Sequence, residues 1–268
     1  MSFGDKLNVA PIRKEFYENV DRDNIYTVET DPSKHPFYGL LVEFIKKWNL
    51  KDKKCLEIGS SKGLFQYLVD DYTGVDTAET LSRYYHKKFI LVYGSELPFP
   101  DESFEAIFTY ATHEHIPDLE IALNEIVRVL KTGGVCLFAP AWHTRPWFAQ
   151  GYQVRPYNQL TLREKIIKFS IPYRDFILIR WPLVLLRRFL RLLVYLLSSA
   201  QPKRLRYKEI KANYEVYWQS DSDACNSLDP FDVILWFKSR GFICHDYNSL
   251  LKALFVRSSA LELQKRQS

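Results

Sequence analysis

The chain has 268 residues, of which 47% are hydrophobic, 15% aromatic and 26% charged, and its formal net charge is +5. This length suits one substantial domain or one domain with a large insertion, and the composition excludes disordered and fibrous proteins. The four cysteines lie far apart at positions 55, 136, 225 and 244, so the sequence predicts reduced thiols, without a metal site or a disulfide framework.

Regular elements follow one another over the first 111 residues. The first twenty residues lack the apolar region of a secretory signal, so we expect a cytoplasmic protein. Apolar spacing predicts a helix over 36–48, and the short apolar run that follows predicts a strand ending at Gly59. Further helices are predicted over 64–72 and 78–88, and further strands over 72–76, 89–94 and 103–111.

The alternation continues to residue 140 and resumes near residue 229. Apolar periodicity predicts a helix over 119–131, which Gly133 and Gly134 should end before a strand over 135–140. The chain after the irregular segment predicts a helix over 229–240 and strands over 241–247 and 252–259. Alternating strands and helices predict a doubly wound, mostly parallel sheet.

The predicted division therefore has three parts. Residues 1–140 form the core, residues 141–220 form a helical insertion after the fifth strand, and residues 221–268 supply the closing helix and strands. Residues 151–212 hold 14 Lys and Arg against 3 Asp and Glu, a net +11, which leaves −6 for the remainder. This asymmetry predicts a polyanionic partner, either nucleic acid or an anionic membrane surface.

The segment 176–197 is apolar except for four arginines, Arg180, Arg187, Arg188 and Arg191. At 100° per residue these fall within an arc of about 100° of a helix, which we expect to start near Trp181 with Pro182 in its first turn. An arginine stripe beside a wide apolar face is typical of a helix lying in a membrane interface, and residues 202–208 add a basic cluster. The alternative is a lid helix packed on the protein with its arginines in solvent.

The strongest chemical signal is the run from Glu57 to Gly63, which follows the first predicted strand. Glycines at the carboxyl edge of an open sheet let the backbone approach a ligand closely. Asp76 ends the next strand, where a carboxylate can accept both hydroxyls of a ribose. Together these features predict a site for a nucleoside-containing cofactor.

Four separated motifs carry a family resemblance. They are LEIGSSKG (56–63), GVD (74–76), GSELPFPDESFEAIF (94–108) and EHIPDLEIALNEIVRVLKTGG (114–134). In this order they resemble the class I S-adenosylmethionine-dependent methyltransferases of the type 11 domain family. The resemblance implies a seven-stranded Rossmann-like sheet with a reversed final hairpin, a transferase activity and S-adenosylmethionine as cofactor.

The resemblance also implies roles for individual residues. Glu57, Gly59, Ser61 and Gly63 would line the methionine part of the cofactor, and Asp76 would hold the ribose. The remaining implied cofactor contacts are Ser95 and Glu96 beside the adenine, and Thr109 and Tyr110 near the sulfonium. Ser61 stands where the family usually has glycine.

Methyl transfer from a sulfonium needs alignment and a dry site, and a hydroxyl acceptor also needs a base. His113, His115 and His143 all follow strands at the carboxyl edge and are the candidate catalytic residues. His115 belongs to the family's recurring EH pair, which more often has a structural role. Asp221 and Asp223 are candidates for contact with a sugar or, alternatively, solvated loop carboxylates.

The insertion is the best indication of the acceptor, because in this family the segments outside the cofactor motifs select it. Beside a methyl-transfer site, a basic amphipathic segment favours a small-molecule, sugar or lipid-linked acceptor, with membrane contact through residues 176–208. The alternatives are an RNA methyltransferase and a non-catalytic membrane-binding relative. The basic block is interleaved with leucine, which argues against RNA, and the retained Glu57, Gly59 and Asp76 argue against a non-catalytic relative. The first loop lacks the G-x-G-x-x-G spacing, which argues against a nucleotide-dependent oxidoreductase.

Overall fold

The computed structural model describes residues 3–19, 31–92, 96–199, 202–214, 221–257 and 259–266, with side chains from residue 11 onward. Within these residues, seven strands form one sheet and two short strands form another. The strands are β1 (Lys54–Ile58), β2 (Asp71–Asp76), β3 (Lys88–Leu91), β4 (Phe104–Tyr110), β5 (Leu130–Ala139), β6 (Tyr207–Glu209), β7 (Asn226–Leu228), β8 (Phe242–Cys244) and β9 (Leu261–Lys265).

The large sheet has the order β3-β2-β1-β4-β5-β9-β8. The strands from β3 to β5 pair in parallel, whereas β9 pairs antiparallel with both β5 and β8. The predicted doubly wound, mostly parallel seven-stranded sheet is therefore confirmed. The order reverses between β1 and β4, and open sheets of this kind bind ligands where the order reverses.

Eight helices surround the sheets in the described part of the chain. They are α1 (Phe3–Asn19), α2 (Tyr38–Lys47), α3 (Leu119–Val129), α4 (Pro146–Ala149), α5 (Leu162–Asp175), α6 (Ile177–Leu197), α7 (Pro230–Lys238) and α8 (Leu250–Ala253). Alternating strand residues point to opposite faces, so that Ile107 packs with α3 and α7 while Ala106 and Phe108 pack with α2. The sheet thus lies between two apolar layers.

Three local predictions are wrong. Residues 64–70 form turns instead of a helix, and only the short 3₁₀ helix Glu79–Tyr84 forms within the helix predicted over 78–88. The predicted strand over 252–259 overlaps the end of α8, and the last strand is instead β9 at Leu261–Lys265. Apolar content alone does not distinguish a short buried helix from a strand.

The paired glycines do not terminate a helix, as the sequence analysis expected. Strand β5 already begins at Leu130, and its pairing with β4 shifts between Phe104 and Ala106, so Gly133 and Gly134 lie in a bulge. A side chain at Gly134 would place its Cβ 2.8 Å from the Lys131 carbonyl oxygen. Gly133 has φ +82°, which is a backbone conformation that favours glycine.

Between residues 141 and 199 the described regular elements are helices, whereas β6, also within the predicted insertion, is a strand that pairs with β7; the three-part division stays a prediction. Thr161 caps α5 with a reciprocal pair of hydrogen bonds to Glu164, and Phe176 separates α5 from α6. Helix α6 begins at Ile177 and not near Trp181, so Pro182 lies beyond its first turn. Among the described residues, no helix has both the length and the apolar character needed to cross a membrane.

Part of the arginine side of α6 packs against the protein, so the expectation that its arginines lie in solvent is wrong for Arg188, whereas membrane contact through this helix stays a prediction. Arg188 is fully buried, and Val184 and Leu192 on the same side are also buried. The Arg188 guanidinium donates to Asp229 and to the carbonyl oxygens of Leu254 and Val256, at 2.8–3.0 Å. The opposite, apolar side of the helix is the one exposed to solvent.

Candidate functional site

The loop after β1 lies at the carboxyl edge, where the strand order reverses. Gly59 has φ +71°, and a Cβ at this position would lie 2.0 Å from the Thr112 Oγ1 atom. The Gly59 and Ser60 amides both donate to the Val75 carbonyl oxygen of β2, at 2.9 and 3.1 Å. Because the loop after β4 approaches so closely, this position requires a glycine whether or not a ligand also contacts it.

Ser61, which departs from the usual glycine, also adopts a left-handed conformation with φ +45°. A residue with a Cβ pays about 1 kcal/mol for this backbone region. The Ser61 amide donates to Asp76 Oδ2 at 2.8 Å, which holds the loop against the end of β2. The serine thus occupies a left-handed backbone position, which favours glycine.

Two carboxylates meet at the ends of β1 and β2. Glu57 is buried, and burial raises its pKa to about 8, although the hydrogen bond from the Tyr72 hydroxyl opposes this rise. Burial also raises the pKa of Asp76, against the hydrogen bonds that it accepts from the amides of Ser61, Thr77 and Ala78. Among the described residues, neither carboxylate forms an ion pair.

Two tyrosines that the sequence analysis did not single out shape the same loop. Tyr72 holds Glu57, and the Tyr85 ring lies where a Cβ at Gly63 would approach it to 2.7 Å. The Tyr85 hydroxyl is 2.6 Å from Ser60 Oγ and 2.8 Å from the Ser61 carbonyl oxygen. Both tyrosines lie 15 to 25 residues from their hydrogen-bond partners, so no local sequence signal indicates them, and only the tertiary structure brings them to the loop.

The other predicted cofactor contacts have different environments. Thr109 is buried and its Oγ1 lies 3.2 Å from His113 Nδ1, whereas the half-buried Tyr110 packs against the rings of His35 and Phe37. Glu96 is exposed. Ser95 lies outside the described residues. The assignment of these four residues to the cofactor stays a prediction.

The candidate histidines have three different environments. His113 is 1% exposed and packs on Phe138, and burial lowers its pKa to about 3. His143 is half-buried beside the insertion, and burial together with nearby arginines lowers its pKa to about 4. Both are therefore neutral near pH 7, and His143 lines a cavity of about 540 Å³.

His115 lies in an acidic cluster. Its Nδ1 is 3.1 Å from Asp223 Oδ2, and its Nε2 is 3.7 Å from Glu114 Oε1. Burial by itself lowers the pKa of His115, but the charges of Asp223, Glu114 and Asp221 outweigh this effect and raise it to about 10. Asp223 is fully buried and also accepts from the Tyr17 hydroxyl at 2.8 Å, so the expectation of a solvated loop carboxylate is wrong for Asp223.

This cluster predicts a pH-dependent contribution to stability. Because the pKa of His115 is raised, the contribution is fully present below the unfolded-state value of 6.5 and is lost as pH rises through about 10. We expect Asp223→Asn to lower the free energy of unfolding by about 3 kcal/mol near pH 6, since it breaks a buried pair. The difference from the wild type should shrink toward pH 10.5.

Urea unfolding at several pH values measures this difference directly. The exposed Asp71 on β2 offers a matched control, because Asp71→Asn removes the same charge from the surface and should leave stability unchanged. A stability difference for Asp223→Asn that stays constant from pH 6 to pH 10.5 would contradict the raised pKa of His115.

Helix α1 also reaches the carboxyl edge, which the sequence did not indicate. The Glu18 carboxylate accepts from the amides of Glu79 and Thr80 at 2.9 and 3.2 Å, just after β2. Tyr17 contacts Asp223 at the other end of the site, and Phe16 packs against Tyr214. The end of α1 therefore connects the loop after β2 with the chain that follows the predicted insertion.

Comparison with known families identifies this arrangement. The profile of the family described as "Methyltransferase domain" matches residues 56–138, from the middle of β1 to the end of β5. Residues 56–138 form a methyltransferase domain. The recognition as a class I S-adenosylmethionine-dependent methyltransferase is confirmed, and S-adenosylmethionine is the cofactor of this class. The individual site residues stay predictions.

The residues present fit this cofactor. The domain places two carboxylates, Glu57 and Asp76, side by side, and no described cation pairs with either of them. A ligand carrying an ammonium, a sulfonium and ribose hydroxyls supplies the positive charge and the donors that such carboxylates lack. Glu57 would hold the methionine part and Asp76 the ribose, in agreement with the resemblance.

Curated relatives match short parts of the domain. A sterol 24-C-methyltransferase of Aspergillus fumigatus is 50% identical over 40 residues, covering 15% of this chain and 11% of that protein. A demethylmenaquinone methyltransferase of Staphylococcus carnosus is 46% identical over 61 residues, covering 22% of this chain and 25% of that protein. The chain thus matches a quarter or less of the length of these relatives.

Solved structures are similar at low sequence identity. The YcgJ protein of Bacillus subtilis is 16% identical with a TM-score of 0.41, over 86% of this chain and 98% of that one. A SAM-dependent methyltransferase of Aquifex aeolicus is 19% identical with a TM-score of 0.35, over 44% of this chain and 76% of that one.

Proposed function

We propose that this protein transfers a methyl group from S-adenosylmethionine to an amphiphilic acceptor, a small molecule, sugar or lipid-linked group, at the cytoplasmic surface of a membrane. One observation carries the acceptor class and the location. Of the 24 large apolar side chains that are exposed among the described residues, 16 lie between Leu162 and Leu197, on α5, α6 and the residue between them. We name this set the apolar face.

The apolar face follows one side of each of the two helices. On α5 the exposed residues Leu162, Ile166, Phe169 and Tyr173 repeat at spacings of three and four. On α6 the exposed residues Leu178, Phe189 and Leu196 lie within about 20° of one another around the helix axis. Soluble monomers rarely expose contiguous apolar patches of this kind, and such patches mark interaction sites.

Charge near the apolar face favours a membrane as the partner. Exposed cations lie on α5 and in the segment after α6, and they include Arg163, Lys165, Arg204, Arg206 and Lys208. Basic residues beside a large apolar helix surface complement anionic headgroups over a hydrocarbon boundary. The names of the two relatives support the acceptor class, because a sterol and demethylmenaquinone are both hydrophobic molecules.

The chain's own residues would align the reaction. S-adenosylmethionine supplies the methyl group as an electrophilic sulfonium substituent. Glu57 and Asp76 would position the cofactor, while the loop from Gly59 to Gly63 excludes water from one side of it. If the acceptor is a hydroxyl, His143 is the best placed histidine to take its proton, because it is neutral near pH 7 and lines an open cavity.

The arrangement disfavours an RNA acceptor. Single-stranded RNA is bound by exposed aromatic rings that stack on bases, between basic side chains. Of the 16 residues of the apolar face, twelve are leucine, isoleucine or valine, which offer no flat ring for stacking: Leu162, Ile166, Ile177, Leu178, Ile179, Leu183, Leu186, Leu190, Leu193, Val194, Leu196 and Leu197. The hydrocarbon of a bilayer can contact all of these apolar side chains, whereas RNA bases would stack only on the aromatic ones.

Co-sedimentation with vesicles of phosphatidylglycerol and phosphatidylcholine tests the location. We expect Phe189→Ser combined with Leu196→Ser to weaken binding at least about tenfold, because each buried apolar side chain contributes about 1.5–3 kcal/mol. The matched control is Leu40→Ser combined with Ile121→Ser, two exposed residues on α2 and α3 that should leave vesicle binding unchanged.

A methyl-transfer assay completes this test. Radiolabel from S-adenosylmethionine should enter the organic phase of a lipid extract of the vesicles when they carry a cell-membrane extract. Equal vesicle binding by the two double variants would sink the membrane role of the apolar face, and label confined to the aqueous phase would exclude a lipid-linked acceptor.

A further inference from the structure

A basic pocket lies between α6, the small β6–β7 sheet and the loop that follows β5. Its volume is about 540 Å³, and seven cationic side chains line it against two carboxylates. Both carboxylates already have arginine partners, since Asp229 accepts from Arg187 and Arg188, and Asp232 accepts from Arg191. The pocket therefore has an excess of positive charge.

Several cations that line this pocket, among them a half-buried arginine of α6 and an exposed arginine just before β6, have no ion-pair partner in the described part of the chain. Arg180 and Arg206 form no hydrogen bond or ion pair with any residue that the structure describes. Arg180 is half-buried, and its pKa is lowered first by burial and then by the nearby charge of Arg145. Like charges gathered at a partly buried site repel one another unless an anion binds between them.

An apolar groove continues from the basic pocket along α6. The groove has a volume of about 320 Å³ and shares Leu183, Arg187, Arg191 and Arg206 with the pocket. Its other lining residues are Leu186, Leu190 and Val194, which belong to the apolar face. A cationic end thus leads directly into an apolar channel that opens on the same surface.

We propose that the basic pocket binds the phosphate group of an amphiphilic molecule whose hydrocarbon chain lies in the groove along α6. Guanidinium groups match the oxygens of a phosphate and bind it by charge-assisted hydrogen bonds. His143 lines the same pocket, so a phosphorylated lipid held there has its head group beside the candidate base. In identifying this molecule with the methyl acceptor, the inference rests on the proposed function.

Calorimetric titration of the full chain with three probes tests the pocket. The probes are dodecyl phosphate below its critical micelle concentration, dodecyl maltoside and inorganic phosphate. We expect dodecyl phosphate to bind at least about tenfold more tightly than either of the others, because it alone supplies both a charged head and a chain. Arg180→Gln combined with Arg206→Gln should weaken it by at least about tenfold.

The matched control is Lys46→Gln combined with Lys252→Gln, which removes two exposed cations of α2 and α8 outside the pocket. This control should change dodecyl phosphate binding by less than about twofold, since exposed charges are screened by salt. If both double variants lost the same affinity for dodecyl phosphate, the proposal that the basic pocket binds the phosphate group would be wrong. If inorganic phosphate bound as tightly as dodecyl phosphate, the ligand would be a small soluble anion, and the proposed hydrocarbon chain in the groove would be wrong.

The same proteins separate this inference from the proposed function. Titration with S-adenosylmethionine should give the same affinity for the wild type and for both double variants. A protein that binds the cofactor but not dodecyl phosphate overturns the pocket and leaves the methyltransferase intact. A protein that binds dodecyl phosphate but not the cofactor supports the pocket and overturns the proposed function.

Discussion

Replacement of Asp76 by alanine is expected to weaken S-adenosylmethionine binding by at least about a hundredfold. The carboxylate lies at the end of β2, where the family resemblance places the ribose of the cofactor. Two hydrogen bonds from ribose hydroxyls to a charged acceptor contribute about 1.5–3 kcal/mol each, and their loss together corresponds to this factor. Isothermal titration with S-adenosylmethionine and with S-adenosylhomocysteine measures the change.

The control for this variant must separate binding from folding. Asp76 accepts hydrogen bonds from the amides of Ser61, Thr77 and Ala78, so circular dichroism has to show that the variant remains folded. Asp71→Ala removes an exposed carboxylate from the other end of β2 and should leave cofactor affinity unchanged. A folded Asp76→Ala protein that binds the cofactor as well as the wild type would place the ribose elsewhere.

Replacement of Arg188 by alanine is expected to cost about 3–5 kcal/mol of folding free energy, because it leaves the buried Asp229 with less compensation. The Arg188 guanidinium joins three parts of the molecule, namely α6, the start of α7 at Asp229 and the carbonyl oxygens of Leu254 and Val256. Its loss therefore releases α6 from the core. For a chain of this size the midpoint of thermal unfolding should fall by roughly 6–20 °C.

The neighbouring Arg187 provides a matched comparison. It donates to the same Asp229 carboxylate at 2.6 Å, but its side chain is 47% exposed, whereas that of Arg188 is 0% exposed. An exposed ion pair contributes less than about 1 kcal/mol, so Arg187→Ala should shift the unfolding midpoint only slightly. Equal effects of the two substitutions would show that the burial of Arg188 does not hold α6 in place.

Much of the core followed from local patterns. The period of the apolar residues and the punctuating glycines predicted β1, β2, β4 and α3 close to their observed positions, and the alternation predicted a parallel sheet. The motif that contains Glu57 and Gly59, together with Asp76 one strand later, located the candidate cofactor site. Patterns of this kind are local, because the backbone conformation of a turn depends mainly on the residues within it.

Long-range pairing decided other parts of the same core. Paired glycines such as Gly133 and Gly134 occur both at the ends of helices and in strand bulges. Only the register of β5 against β4 distinguishes these two roles. The helix predicted over 64–72 fails because strand β2 takes Asp71 and Tyr72, which pair with β1. Tertiary packing overrides local propensity where a short apolar segment fits either element.

The sequence by itself determined that α6 carries one basic side and one apolar side, since side-chain positions around a helix follow from its period. Only the tertiary structure decided which side faces outward. Asp229 and the carbonyl oxygens of Leu254 and Val256, 41 to 68 residues away in the chain, satisfy the buried arginine, so the polar side turns inward. The apolar side is left exposed because a buried charge requires partners, whereas an exposed leucine requires none.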